Sequence, residues 1–166
     1  MTEFVVVPEE KLKILRDKRM LYNRKLRDFL DVTFSVGDDV EIEGDDNFAV
    51  LRAKEVIKAF ARGFSFNDAL DLVAEDYILD VMTTTDYAGK SRNRQEVMRG
   101  RVIGSEGKSK AIIEKYSGAK IAVSGKTVSI IGRWENVALA KEAVEMLLRG
   151  AKHTTVFKML EERKIV

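Results

Sequence analysis

Two glycines three residues apart, Gly104 and Gly107, enclose Ser105 and Glu106 and run directly into Lys108, Ser109 and Lys110. A turn without β-carbons at its ends lets a sugar-phosphate chain approach the backbone closely. The helix expected to begin near Lys108 adds unpaired amides and the positive end of its dipole. The chemistry such a segment offers is phosphate binding. Its surroundings agree in charge, because residues 89–126 hold 10 basic and 3 acidic residues. A block of that kind attracts a polyanion and speeds its association.

Other chemistries fail on spacing or on residue type. The run from Gly104 to Ser109 superficially resembles a nucleotide-hydrolysing phosphate loop, but that motif needs a glycine five residues before Gly107, where this chain has Val102. The motif must also follow a strand, whereas here it follows a helical pattern. There is no cysteine, which excludes disulfides, thiolate catalysis and Cys-based metal sites. His153, the single histidine, has no neighbouring acid pattern and is expected to be exposed and structurally unimportant. The pairs Asp38-Asp39 and Asp45-Asp46 sit at turns, where Asp is favoured for local backbone bonding. No metal or cofactor is expected, and the chain reads as a binding protein, not an enzyme. Its aromatics are scattered, which argues against a flat stacking platform for bases. Trp134 is expected to anchor packing at the start of the last long helix.

The elements that must position the glycine loop come from hydrophobic period and punctuation. In the second half, 78–84 reads as a β-branched strand, 86–93 as a polar loop and 94–101 as a short helix. After the glycines come a helix over 108–116, closed by Gly118, then strands 119–123 and 127–131 joined by Ser124-Gly125-Lys126. A long helix over 134–148 presents Val137, Ala140, Val144, Leu147 and Leu148 on one face.

That order is written twice. At an offset of 87 residues, the segment 54–63 falls on 141–150, each ending in Arg-Gly, and 32–36 falls on 119–123. The first copy reads as strand 4–7, helices 9–17 and 21–30, strands 32–36 and 40–43, and helix 47–61. A further short helical pattern follows each copy, at 66–77 and 154–164. The expected fold class is α+β, with two tandem units, 1–77 and 78–166, each a three-stranded antiparallel sheet packed against helices. The halves differ in sign. Residues 1–77 carry 12 basic and 17 acidic residues, a net −5, and residues 78–166 carry 17 and 10, a net +7. The offset places Asp17-Lys18-Arg19-Met20, with no glycine, where the loop should be. The first copy is therefore expected to serve as scaffold or protein contact; Lys18, Arg19, Arg24 and Lys25 are the residues that would form a second RNA track instead.

The segment from Val102 to Ser109, followed by Ile112-Ile113 and Gly118-Ala119-Lys120-Ile121, resembles the core of a KH domain. KH domains of type I have the order βααββα, and their glycine loop clamps the backbone of about four nucleotides while bases turn into an apolar groove. The resemblance implies single-stranded RNA binding at Gly104, Ser105, Glu106 and Gly107. It places Ile103, Ile121 and Val123 in the groove, with Arg101, Lys108, Lys110 and Lys120 around it and Arg92, Arg94 and Arg99 extending the basic track. Two departures weaken the pattern: the middle of the loop, often basic, is Ser105-Glu106, and an often aliphatic position is Lys110. A degenerate copy followed by an intact one is similar to archaeal relatives of the ribosome-assembly protein called partner of Nob one. That likeness implies binding near the 3′ end of small-subunit ribosomal RNA, beside the endonuclease that trims it. It also implies contact with the α subunit of translation initiation factor two.

Two other readings fit parts of the sequence. One is an interaction adaptor whose KH units bind protein, favoured by Glu106 and the acidic first half. The other is a KH subunit of an RNA-degrading complex. The N-terminus lacks the basic flank and apolar core of a signal peptide, and no apolar run approaches the ~20 residues of a membrane span. A cytoplasmic monomer without membrane contact is expected.

Overall fold

The structure, a computed structural model, describes residues 1–165. It divides into two compact units between Glu75 and Asp76.

The first unit opens with β1 (Thr2–Val5), α1 (Glu9–Asp17) and α2 (Arg19–Leu30), continues through β2 (Thr33–Val36) and β3 (Val40–Glu43), and reaches α3 (Asn47–Ala61) and a short α4 (Phe66–Ala69). Its sheet is antiparallel in the order β1-β3-β2. Pro8 precedes α1, where its missing N–H is harmless. The Asp46 carboxylate accepts from the Phe48 amide at 2.9 Å and caps α3. That bond gives one of the suspect acidic pairs a structural use. Leu15, Leu26, Val40, Ile42, Val50 and Ile57 are fully buried between sheet and helices.

The second unit repeats the plan with longer strands. It runs β4 (Tyr77–Thr83), a short α5 (Thr85–Ala88), α6 (Arg92–Ile103), a tight turn at Ser105–Gly107, and α7 (Lys108–Ser117). Then come β5 (Lys120–Ser124), β6 (Thr127–Arg133), α8 (Trp134–Leu148) and α9 (His153–Arg163). The sheet order is β4-β6-β5, so β5 is an edge strand and β6, buried along nearly its whole length, is central. Val137, Ala140, Val144, Leu147 and Leu148 of α8 are buried, as the helical period requires, together with Val102, Ile113 and Ile130. Asp80 on β4 pairs with Lys141 on α8 at 3.2 Å and holds that ammonium above its ordinary pKa.

Four expectations need correction. The stretch 86–93 is not one polar loop, because α5 occupies its start and α6 begins at Arg92 behind a cap in which Ser91 Oγ accepts from the Arg94 amide. Asp76 and Tyr77 belong with the second unit, since Arg133 pairs with Asp76 at 3.0 Å and Tyr77 lies opposite Arg133 in the ladder. The helical pattern at 66–77 accordingly stops at Val73. Trp134 anchors nothing: it is 71% exposed, standing where β6 turns into α8, one turn before the buried face of that helix begins at Val137.

Candidate nucleic-acid interface

The glycine loop joins α6 to α7 and carries three residues with positive φ: Gly104 at 77°, Glu106 at 56° and Gly107 at 74°. The two glycines have different reasons to be glycine. A β-carbon on Gly104 would lie 2.6 Å from Ser109 Cβ and 2.7 Å from the Ser109 amide nitrogen, so the fold itself excludes a side chain there. A β-carbon on Gly107 would meet nothing within 4 Å. Its bare backbone keeps open the space in front of α7. That helix starts with no side-chain cap and no acidic residue in its first turn. The Lys108 amide turns back to the Ser105 carbonyl, which leaves the following amides of the first turn to face an anion, and the dipole favours one. Among the described residues, the buried side-chain polar atoms that lack a partner include Arg99 Nε and Ser109 Oγ, one on each helix flanking the loop. Unsatisfied groups of this kind mark places where a ligand or solvent completes the bonding.

Of the expected RNA-binding cations, Lys108, Arg92 and Arg94 are exposed, and Arg99 and Lys120 are half-buried. Ser105 and Glu106 form the exposed tip of the loop. Arg101 must be withdrawn as a free cation for phosphate. Its Nε donates to the Leu147 carbonyl at 2.9 Å and its Nη2 to the Ala151 carbonyl, which satisfies the C-terminal end of α8. His153 also acquires a structural role: its Nε2 lies 2.9 Å from the Arg101 carbonyl, and the ring is half-buried. Neither role leaves a local signal in the sequence, because the partners lie 46–52 residues away. Lys110 is held at 3.5 Å from Glu114, one helical turn on.

The apolar groove is smaller than the resemblance implies. Ile121 is only 3% exposed and belongs to the core, so it offers a ligand backbone and not side chain. Ile103 and Val123 are half-buried and remain at the surface. On the edge of β5 the Ile121 amide donates to Glu114 Oε2 at 3.0 Å. By the alternation of an antiparallel ladder, the Ile121 carbonyl and both backbone groups of Val123 point the same way, outward. Glu114 was not anticipated, although its four-residue spacing from Lys110 is visible in the sequence.

The first unit closes both of these features. Lys18 alone links α1 to α2, at φ −106°, so no cradle forms there. At the residue corresponding to Ile121, Phe34, the Asn23 side chain donates to the carbonyl at 3.0 Å and accepts from the amide at 2.7 Å. The edge that a base would read is already occupied. Lys25 bonds Asn67 Oδ1, while Lys18, Arg19 and Arg24 are exposed. Among the described residues, no group of three or more His, Cys, Asp or Glu is placed to hold a metal, and no helix is long and apolar enough to cross a membrane.

Comparison with known proteins gives consistent matches. A family model for a eukaryotic-type KH domain (KH-domain type I), the second such domain of PNO1, matches residues 78–165. The KH domain-containing protein MJ0443 of Methanocaldococcus jannaschii is 40% identical over 168 residues, covering 98% of this chain and 74% of that protein. The pre-rRNA-processing protein PNO1 of Coccidioides immitis is 30% identical over 115 residues, covering 68% of this chain and 44% of its own length. This chain thus spans less than half of that eukaryotic relative. Among solved structures, aDim2p of Pyrococcus horikoshii, in a complex with a/eIF2α and rRNA, superposes with a TM-score of 0.88 at 32% identity, covering 98% of this chain and 93% of that one.

Proposed function

This chain belongs to the PNO1/Dim2 family of KH-domain proteins, and from that membership we propose that it binds single-stranded RNA through its second unit during assembly of the small ribosomal subunit. The target is the region near the 3′ end of small-subunit rRNA. The observation that carries the proposal is the loop itself: Gly107 leaves the uncapped start of α7 open to phosphate, in a segment rich in basic residues. The first unit serves as scaffold and protein contact. Partners of the assembled state are the endonuclease that trims the rRNA and the α subunit of translation initiation factor two. For the latter the support is the P. horikoshii complex, in which the relative was solved with a/eIF2α and rRNA. The role is binding, not catalysis, because open amides and exposed cations hold a phosphate chain without transferring anything. It is exercised in the cytoplasm by a monomer.

Fluorescence anisotropy tests this with a single-stranded oligonucleotide carrying the 3′-terminal sequence of small-subunit rRNA, a scrambled control and two salt concentrations. Salt-sensitive binding that prefers the native sequence and is lost in Gly107→Asp is the expected result. Equal inertness of native and variant protein toward both RNAs would overturn it.

A further inference from the structure

The loop has a second neighbour besides the β5 edge. On the flank of α6 that carries Val97, Gly100 and Gly104, a cavity of about 450 Å³ opens between this helix, the start of α7 at Lys108, and His153 and Phe157 of α9. Its size is that of a small-ligand pocket, roughly 300–1,000 Å³. Three observations set it apart from ordinary surface. Val97 is 59% exposed in a helix otherwise dominated by charged and polar residues. Gly100 lies mid-helix with nothing within 4 Å of where its β-carbon would be, so no packing constraint accounts for a residue that weakens the helix there. On the opposite wall His153 and Phe157 stand edge to face, with ring centroids 5.8 Å apart. The Arg101 carbonyl can only accept, so the His153 nitrogen facing it, Nε2, carries the hydrogen.

We infer that this cavity receives one unpaired nucleobase of the RNA held at the loop, from a nucleotide adjoining those whose phosphates the loop clamps. The inference rests on the RNA-binding reading above. The occupant follows from continuity, because Gly104, Ser105 and Lys108 line both the cavity and the phosphate cradle. A chain whose phosphates sit on one side of these residues has its next base within reach of the other. The lining suits a base: an apolar floor without a side chain at Gly100, an aromatic wall for stacking, Lys108 for the attached phosphate, and Arg101 and His153 as polar groups beside it.

The test uses the full chain and a set of oligonucleotides with 2-aminopurine at each position in turn. In the native complex, one position outside the β5 groove should be quenched by stacking. Val97→Gln, at an exposed site, and Phe157→Ala, checked for folding by circular dichroism, should abolish that quench and weaken binding roughly tenfold. The salt slope should stay the same, because no phosphate contact is lost. If both variants bind and quench like the native protein, the inference falls while the loop clamp stands. A response only to apolar peptide, with RNA fluorescence unchanged, would assign the cavity to a protein side chain and also refute it. Absence of RNA binding by the native protein, which the anisotropy experiment detects separately, would refute both readings together.

Discussion

Glu106 is the residue whose charge opposes the function of its own loop, and Glu106→Gln isolates that effect. The side chain is exposed at the loop tip with φ 56°. Glutamine has the same shape and meets the same left-handed backbone, so fold and strain are unchanged and only the charge goes. Taking about 6 Å to a bound phosphate and a dielectric between about 20 at the surface and about 80 in water, Coulomb's law gives ~0.7–2.8 kcal/mol of repulsion. Screening over a Debye length of about 8 Å roughly halves this at physiological salt. The variant should therefore bind RNA about 0.4–1.4 kcal/mol more tightly, roughly two- to tenfold. Because the net count of cations facing the phosphates rises by one, the slope of log K against log salt should steepen by up to about 0.7. Anisotropy titrations across a salt series read both numbers, and the thermal midpoint should match that of the native protein. An unchanged or weaker affinity at the lowest salt, in a variant that melts normally, would show that the loop tip does not face phosphate.

The two loop glycines should separate fold from ligand. Gly104→Ala forces a β-carbon into Ser109 at positive φ and should lower stability by about 2–4 kcal/mol in a denaturant titration, whereas Gly107→Ala meets only backbone strain, about 1 kcal/mol. Arg101→Ala leaves the Leu147 and Ala151 carbonyls without their charged donor. It should cost about 1.5–3 kcal/mol in the same titration while the folded variant keeps the native salt slope for RNA. The Asp80 hydrogen bond raises Lys141 above 10.5, so its contribution to stability is complete below that pH and disappears as pH climbs through the raised value. An alkaline melting series should show this loss in the native protein and a shallower one in Asp80→Asn.

Much of the fold was legible because the sequence repeats itself and its apolar period is clean. The helix over 134–148 matches α8 residue for residue, and the 87-residue offset between copies holds at Phe34 and Ile121, which occupy the same place on their edge strands. The loop was legible for a related reason: glycine at positive φ is a local requirement that leaves a local mark. What escaped is non-local. Arg101 lies in a basic block and looks like a phosphate ligand until the ends of α8 and α9 close around it. Ile121 alternates correctly for a groove residue, but alternation cannot say which face of an edge strand the helices cover. Trp134 looks like an anchor by size, and only the turn at Arg133 leaves it outside the core.

The two units supply the strongest argument about the loop without any ligand. The first builds the same three-stranded sheet and the same helix pair with Lys18 as its only link between α1 and α2, so the architecture does not require four residues there. The second inserts a loop with three residues at positive φ, one of them a glutamate. That loop costs folding stability, about 1 kcal/mol or more for a non-glycine at left-handed φ. The same comparison holds at the sheet edge, where Asn23 closes both backbone groups of Phe34 but Glu114 takes only the amide of Ile121. Stability lost twice at adjoining places, in one copy and not the other, is explained by a molecule that occupies both. A chain with regularly spaced phosphates and bases is such a molecule, phosphates at the open amides and bases along the strand.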